Sequence, residues 1–212
     1  MADEWKPQVV QQGDHVRKLA FRAGVSPDEV WGHDKNKELV ARRKSMDLLC
    51  PGDVLHLPSS PRAGLDLSAS TTNKYRATVP TVAVRLKLSD SEQTWSNEPF
   101  LVHGLEGTEP LAGTTGPEGE VAFEVPVHVR EVTLSLRDGF CIVPLRIGDL
   151  DPAEEPNGAL QRLRALRYLP DGECDDAMVA SALRRLREDH GLPAEGGLDA
   201  AALDILVAAH LS

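Results

Sequence analysis

The spacing of apolar residues changes twice along this chain, and that change restricts its fold more than any other feature of the sequence. The pattern predicts short strands around helices at residues 8–58. Apolar and polar positions alternate at residues 82–147, and apolar residues stand at helical spacing at residues 159–207. Strands and helices bury apolar residues with different periods, so the pattern predicts small modules in series and a multidomain α+β fold. The predicted boundaries are a βααβ module at 1–60, a linker at 61–77, a β module at 78–150 and a helical module at 151–212.

The acidic composition excludes two classes of partner. The chain has 212 residues, with 23 Lys and Arg against 33 Asp and Glu, and a formal net charge of −10. Such a chain repels phosphate backbones and anionic lipids, so neither nucleic acid nor a membrane is expected as a partner. Residues 1–6 lack the basic start and apolar core of a secretory signal peptide, and no apolar run is long enough to span a bilayer. We therefore expect a cytoplasmic protein, exported only if another machine carries it.

Helix and turn signals define the N-terminal module. An extended run at residues 8–11 ends near Asp14, which is predicted to cap the first helix. Ser26, followed by a proline and then by Glu29 three residues after the cap, forms a capping box for a second helix. A turn then leads into an alternating strand at residues 54–58. The predicted order is strand, helix, helix, strand.

Five short motifs in this module, in this order along the chain, carry a family resemblance: Gln12-Gly13-Asp14, Leu19-Ala20, Gly24-Val25, Glu29-Val30-Trp31 and Leu49-Cys50-Pro51-Gly52-Asp53-Val54-Leu55. They resemble the LysM domain, a fold that often binds N-acetylglucosamine chains. In that family the groove lies between the loop after the first strand and the loop after the second helix. The resemblance therefore implies a groove for a glycan or a protein at Gly13, Asp14, His15, Gly32, His33, Asp34 and Asn36.

The loops of this groove depart from the family pattern. His15 stands where a threonine is usual, and residues 32–37 replace an asparagine-proline loop. Residues 38–44 add a predicted helical turn over the groove, with Leu39 and Val40 packing inward. These departures favour protein docking over glycan binding.

The same added turn ends in a basic run, Arg42, Arg43 and Lys44. This run is the strongest positive patch on an acidic chain, and we expect it either to face an acidic partner or to form a solvated helix face.

No metal or cofactor is expected. The spacing of His15, His33, Asp34 and His56 matches no recognised zinc pattern. The three cysteines, Cys50, Cys141 and Cys174, fall one to each module, so inert free thiols in a reducing compartment are expected.

The middle of the chain alternates like a half-buried antiparallel sheet. Strands are predicted at residues 82–88, 121–125, 132–136 and 141–147, with a tight turn at 113–119 and a hairpin at 137–139. This spacing predicts a small antiparallel β-sandwich. The glycine-threonine-threonine run at 113–115, the phenylalanine at 123 and the valine-proline at 125–126 resemble bacterial immunoglobulin-like or carboxypeptidase-regulatory-like modules, which present surfaces or space other domains apart.

The central module offers ionisable residues but no catalytic arrangement. The candidates are Glu98, His103, Glu106, Glu109 and His128. Their spacing forms neither a nucleophile-base pair nor a metal motif, so no catalytic residue is predicted.

Three apolar stripes at helical spacing follow an acidic connector at residues 148–158, and the third is predicted at Leu203, Leu206 and Val207. Asp175 and Asp199 are predicted to cap the second and third helices. The motifs Leu160-Gln161, Asp171-Gly172, Ala182-Leu183, His190-Gly191-Leu192-Pro193 and Gly196-Gly197-Leu198-Asp199 resemble the three-helix peptidoglycan-binding domain of bacterial wall enzymes, over residues 159–211. In the turn region, Leu186 and Arg187 stand where that family usually has phenylalanine and glutamine.

The combination of modules suggests a function. A LysM-like start, a small β module and a peptidoglycan-binding-like end are similar to accessory proteins of contractile injection machines such as type VI secretion systems. The resemblance implies a non-enzymatic adaptor whose protein partner is a secretion spike, tube or toxin effector component. The alternative is a protein that binds peptidoglycan through both ends, and an enzyme using unrecognised groups ranks third.

Overall fold

Two strands and three short helices form the N-terminal part of the computed structural model. Strand β1 (Trp5–Val9) pairs antiparallel with β2 (Val54–Pro58), and Val9 lies opposite Val54. Between them lie α1 (Val16–Ala23), α2 (Pro27–Gly32), a 3-10 turn (Asp34–Asn36) and α3 (Lys37–Arg43). The predicted order of strands and helices is confirmed, although the first strand begins before the predicted run. Helix α3 confirms the added helical turn.

Side-chain caps fix where these helices begin. The Nδ1 atom of His15 accepts the backbone N–H of Lys18, so His15 caps α1 and the prediction that Asp14 does so is wrong. Ser26 caps α2 as predicted, because its Oγ accepts the N–H of Asp28. The core between the helices and strands is built from Trp5, Val10, Val16, Leu19, Ala20, Val30, Leu39, Leu49, Leu55 and Leu57.

Six strands lie in the described part of the middle of the chain. They are β3 (Thr81–Lys87), β4 (Pro99–His103), β5 (Leu111–Thr114), β6 (Glu120–Pro126), β7 (Glu131–Leu136) and β8 (Cys141–Arg146). Strand β3 pairs with β6, and a four-stranded sheet has the order β5-β4-β7-β8. The four predicted strands are confirmed, whereas β4 and β5 were not predicted. Gly113 was assigned to a turn but lies in β5, where a Cβ would overlap the Phe100 ring.

Three helices end the described chain: α4 (Pro156–Ala165), α5 (Asp176–Asp189) and α6 (Ala200–His210), and each contacts the other two. The predicted caps are confirmed, since Asp175 accepts the N–H of Met178 and Asp199 accepts that of Ala202. Their shared core is formed by Ala159, Leu163, Leu169, Ala182, Leu183, Leu186 and Leu206. The third apolar stripe was predicted at Leu203, Leu206 and Val207, but the buried residues of α6 are Ala202 and Leu206.

The structure describes residues 4–59, 68–74, 78–89, 93–107 and 109–210. Most of the predicted linker at 61–77 lies outside these ranges, as does Leu211. The chain divides into one compact unit of Met1–Ala83, Leu101–Leu111 and Glu124–Asp149, and a second of Val84–Phe100, Ala112–Phe123 and Leu150–Ser212. Both units include parts of the central strands, and the predicted domain boundaries stay predictions. Within the described ranges, no helix has both the length and the apolar character needed to cross a membrane.

Candidate functional site

The first half of the predicted groove is buried in the protein. Gly13, Asp14 and His15 are all buried. The Asp14 carboxylate accepts the backbone N–H of Gln11 and lies 3.1 Å from Lys18 Nζ, which itself donates to the Gly13 carbonyl at 2.6 Å. These polar groups therefore hold the loop in place, and Lys18 is buried beside them.

Burial also sets the protonation state of His15. The residue is only 2% exposed, and burial, opposed by the charge of Asp47, lowers its pKa to about 4. A neutral imidazole keeps a lone pair on one ring nitrogen, and the α1 cap requires that lone pair on Nδ1. His15 is thus a structural residue at neutral pH.

The outer side of the same loop, residues 12–15, contacts residues from the end of the central strands. Arg130 Nη2 donates to the Gln12 carbonyl at 3.2 Å, and the Gln12 side-chain amide donates to the Asp149 carbonyl at 2.9 Å. A Cβ on Gly13 would lie 3.0 Å from Arg130 Nη2, which shows how closely that arginine approaches. The loop is therefore in contact with protein where the LysM resemblance places a ligand.

The second half of the predicted groove makes a separate set of contacts. The His33 ring stacks on Trp5 with centroids 3.7 Å apart. Asn36 is buried and bonds to the backbone of Val30 and of His56, so its side chain is structural. Gly32 and Asp34 are exposed, and Asp34 pairs with Lys37 at 2.8 Å.

Two of the three residues of the predicted basic patch bond to Asp53. Arg43 is buried, and its guanidinium makes two bonds to the Asp53 carboxylate, at 2.7 and 2.8 Å. The prediction that Arg43 faces a partner is therefore wrong. Arg42 also contacts Asp53, although its side chain is 58% exposed, and Lys44 is exposed. The inward prediction holds for Leu39, while Val40 is half-buried.

Asp53 is held ionised by these neighbours. Its burial would raise the pKa, but hydrogen bonds from Arg43 and from the Cys50 N–H hold the pKa below its ordinary value. This cluster joins α3 to the turn before β2, and the Asp53 carboxylate is shared by the two arginines. Its contacts make it part of the fold of the N-terminal module.

The ionisable residues of the central strands lie mostly apart. His128 Nε2 and Glu106 Oε1 approach to 2.6 Å, and their side chains are 38% and 63% exposed. His103 and Glu109 are also exposed, and Glu98 is half-buried. Among the described residues, no group of three or more His, Cys, Asp or Glu side chains is placed to hold a metal ion. All three cysteines are free thiols, and each is half-buried.

Sequence reasoning missed the most exposed apolar surface of the described chain, a tip at residues 137–142. Phe140 is 87% exposed and Ile142 is 64% exposed. Arg137 and Asp138 both have positive φ, of 52° and 54°, in the 3-10 turn that joins β7 to β8. The alternation in residues 141–147 predicted a strand with two faces, but it did not indicate which face would be exposed.

Compared with known proteins, the chain matches no family model, no curated protein and no solved structure.

Proposed function

We propose that this protein is a non-enzymatic adaptor that links a toxin effector or spike component to a contractile injection apparatus of the type VI secretion kind. In this proposal residues 4–59 are a LysM-like module, the central strands an immunoglobulin-like sandwich and the C-terminal helices a peptidoglycan-binding-like bundle. The observation that carries the proposal is the exposed pair Phe140 and Ile142 at one hairpin tip.

The tip has the properties of an anchor for a protein partner. Large aromatic side chains dominate binding energy when they insert into a desolvated pocket. Non-glycine residues with positive φ cost about 1 kcal/mol or more each, so Arg137 and Asp138 are held in place by their surroundings. Pro144 in the edge strand β8 lacks an N–H donor, which disfavours growth of the sheet by strand addition. We therefore expect contact through side chains.

The contacts of the loop at residues 12–15 support protein docking over glycan binding. Arg130 and Asp149 bond to this loop where the LysM resemblance implies a sugar, and Asn36 in the second half is buried. A glycan would have to displace these protein contacts.

Co-purification of a tagged chain from its native cells tests the proposal. We expect a tube, spike or effector component to be retained, and to be lost when Phe140 is replaced by serine. Phe21→Ser is the matched control, because Phe21 is also an exposed phenylalanine, at 41%. Recovery of the parent chain only as a free monomer would contradict the proposal.

Sedimentation with purified insoluble peptidoglycan tests the alternative. The adaptor proposal predicts that the intact chain stays in the supernatant. Saturable sedimentation that persists in Phe140→Ser would favour a wall-binding protein.

A further inference from the structure

A cavity of about 440 Å³ opens beside α5 and the loop that follows it. It is lined by Ala177, Ala180, Ser181, Leu183, Arg184, Ala194 and Gly197. Its volume is near the lower end of the range for ligand pockets, which suits a ligand of a few residues.

The wall of this cavity is held by a buried arginine. Arg187 is 4% exposed and donates from Nε to the Pro193 carbonyl at 2.6 Å and from Nη1 to the Gly197 carbonyl at 3.3 Å. The same Nη1 lies 2.9 Å from the Asp199 carboxylate, whose pKa is lowered by the Ala202 N–H and by Arg187. The loop at 193–199 is therefore bonded to α5, and the cavity between them is open to solvent, because most of its lining residues are exposed.

The lining has one formal charge, on Arg184. This side chain is exposed, and among the described residues no carboxylate lies within ion-pairing distance of it. The remaining surface is mostly alanine and glycine, with the Ser181 hydroxyl as a neutral polar group. A guanidinium beside small apolar contacts suits a ligand that combines a carboxylate with small apolar side chains.

We propose that this cavity binds the carboxyl terminus of a partner polypeptide whose last residues are small and apolar. Arg184 pairs with the terminal carboxylate, Ser181 bonds to a peptide amide, and Ala177, Ala180 and Ala194 contact the side chains. The proposal rests on the adaptor function only for the source of the peptide, because the binding chemistry belongs to the cavity alone.

The test titrates the full chain with N-acetyl-L-alanyl-L-alanyl-L-alanine, followed by amide chemical shifts. We expect the shifts to centre on Ala177, Ala180, Ser181 and Gly197. The same peptide with an amidated C-terminus should bind roughly tenfold more weakly, because it lacks the charge that Arg184 recognises. Arg184→Gln should lower the affinity for the free-acid peptide to that for the amidated peptide.

Two variants separate the cavity from general effects. Arg185→Gln removes the neighbouring exposed arginine, which lies over the Tyr168 ring, and should bind as the parent does. Ala180→Phe fills the cavity from an exposed position and should abolish binding while the amide spectrum stays folded.

The proposal is overturned if no localised shifts appear up to about 10 mM peptide, a range that covers weak binding. It is also overturned if the free acid and the amide bind with equal affinity, or if Arg184→Gln binds the free acid as tightly as the parent chain does. Preference for D-alanyl-D-alanine over the L-peptide would assign the cavity to a wall peptide and overturn it too. Phe140→Ser should leave the titration unchanged, so loss of the hairpin contact and loss of peptide binding are distinguishable.

Discussion

Arg43 and Arg184 are both basic residues of helices, yet the structure uses them in opposite ways. Arg43 is buried on the Asp53 carboxylate, while Arg184 stands exposed at a cavity lined by small residues. The first is bonded within the fold, and the second has no carboxylate within ion-pairing distance among the described residues. A basic residue is thus a binding candidate only where packing brings no carboxylate beside it.

The same contrast separates the loop at 12–15 from the tip at 137–142. The loop belongs to the groove predicted from the sequence but bonds to Arg130 and Asp149, whereas the tip was not predicted as a site and exposes Phe140. Exposure of a large apolar side chain points to a partner more directly than a motif whose polar groups are already bonded.

The largest effect should come from breaking the buried ion pair. Arg43→Ala leaves the Asp53 carboxylate buried with weaker compensation, and we expect a loss of about 3–5 kcal/mol in the free energy of unfolding. Arg42→Ala is the matched control, because Arg42 contacts the same carboxylate from an exposed position and should cost about 1 kcal/mol or less. Urea denaturation followed by circular dichroism measures both. Similar losses for the two variants would show that Arg43 is not the structural partner.

The next effect concerns pH. The pKa of His15 is lowered from 6.5 to about 4, so the folded chain binds fewer protons than the unfolded chain between these values. Stability therefore falls as pH falls through this window, by about 2–3 kcal/mol between pH 7 and pH 4.5. His15→Asn keeps a capping side chain without a titrating group and should lose this share of the pH dependence.

The control for that experiment is the second histidine of this kind. Burial, together with the charge of Arg162, also lowers the pKa of His210. His210→Gln should leave the His15 contribution in place. An unchanged pH slope in His15→Asn would contradict the buried, neutral His15.

The smallest effect concerns the contact at the loop. Gly13 and Gly52 both have positive φ, of 80° and 95°, but only Gly13 has neighbours within 4 Å of an added Cβ. Alanine at either position should cost about 1 kcal/mol through backbone strain. We expect Gly13→Ala to cost up to about 1 kcal/mol more, because Arg130 must move. Equal thermal unfolding of the two variants would indicate that the Arg130 contact contributes nothing.

Local chemistry explains what could be predicted from the sequence. Ser26, Asp175 and Asp199 cap helices because their side chains bond to backbone N–H groups two or three residues away. The alternation of apolar and polar residues likewise predicted β3, β6, β7 and β8. Such interactions can be predicted because both partners lie within a few residues of each other in the sequence.

What could not be predicted depends on residues far apart in the chain. Arg43 is buried because Asp53 lies ten residues later, and Gly13 is covered because Arg130 lies more than one hundred residues later. Strand β5 was missed because Gly113 is accommodated there by the Phe100 ring. The cavity beside α5 depends on the bonds from Arg187 to the loop at residues 193–199, and the sequence pattern did not predict these bonds.

Site-specific photo-crosslinking shows directly whether the hairpin tip at residues 137–142 contacts a partner protein. A photoreactive phenylalanine analogue would replace Phe140 in one chain and Phe21 in another, each irradiated in native cells with the injection apparatus assembled. We expect an adduct with a tube, spike or effector component at position 140 and none at position 21. Adducts only at position 21, or at neither position, would contradict the claim that the hairpin tip docks a protein.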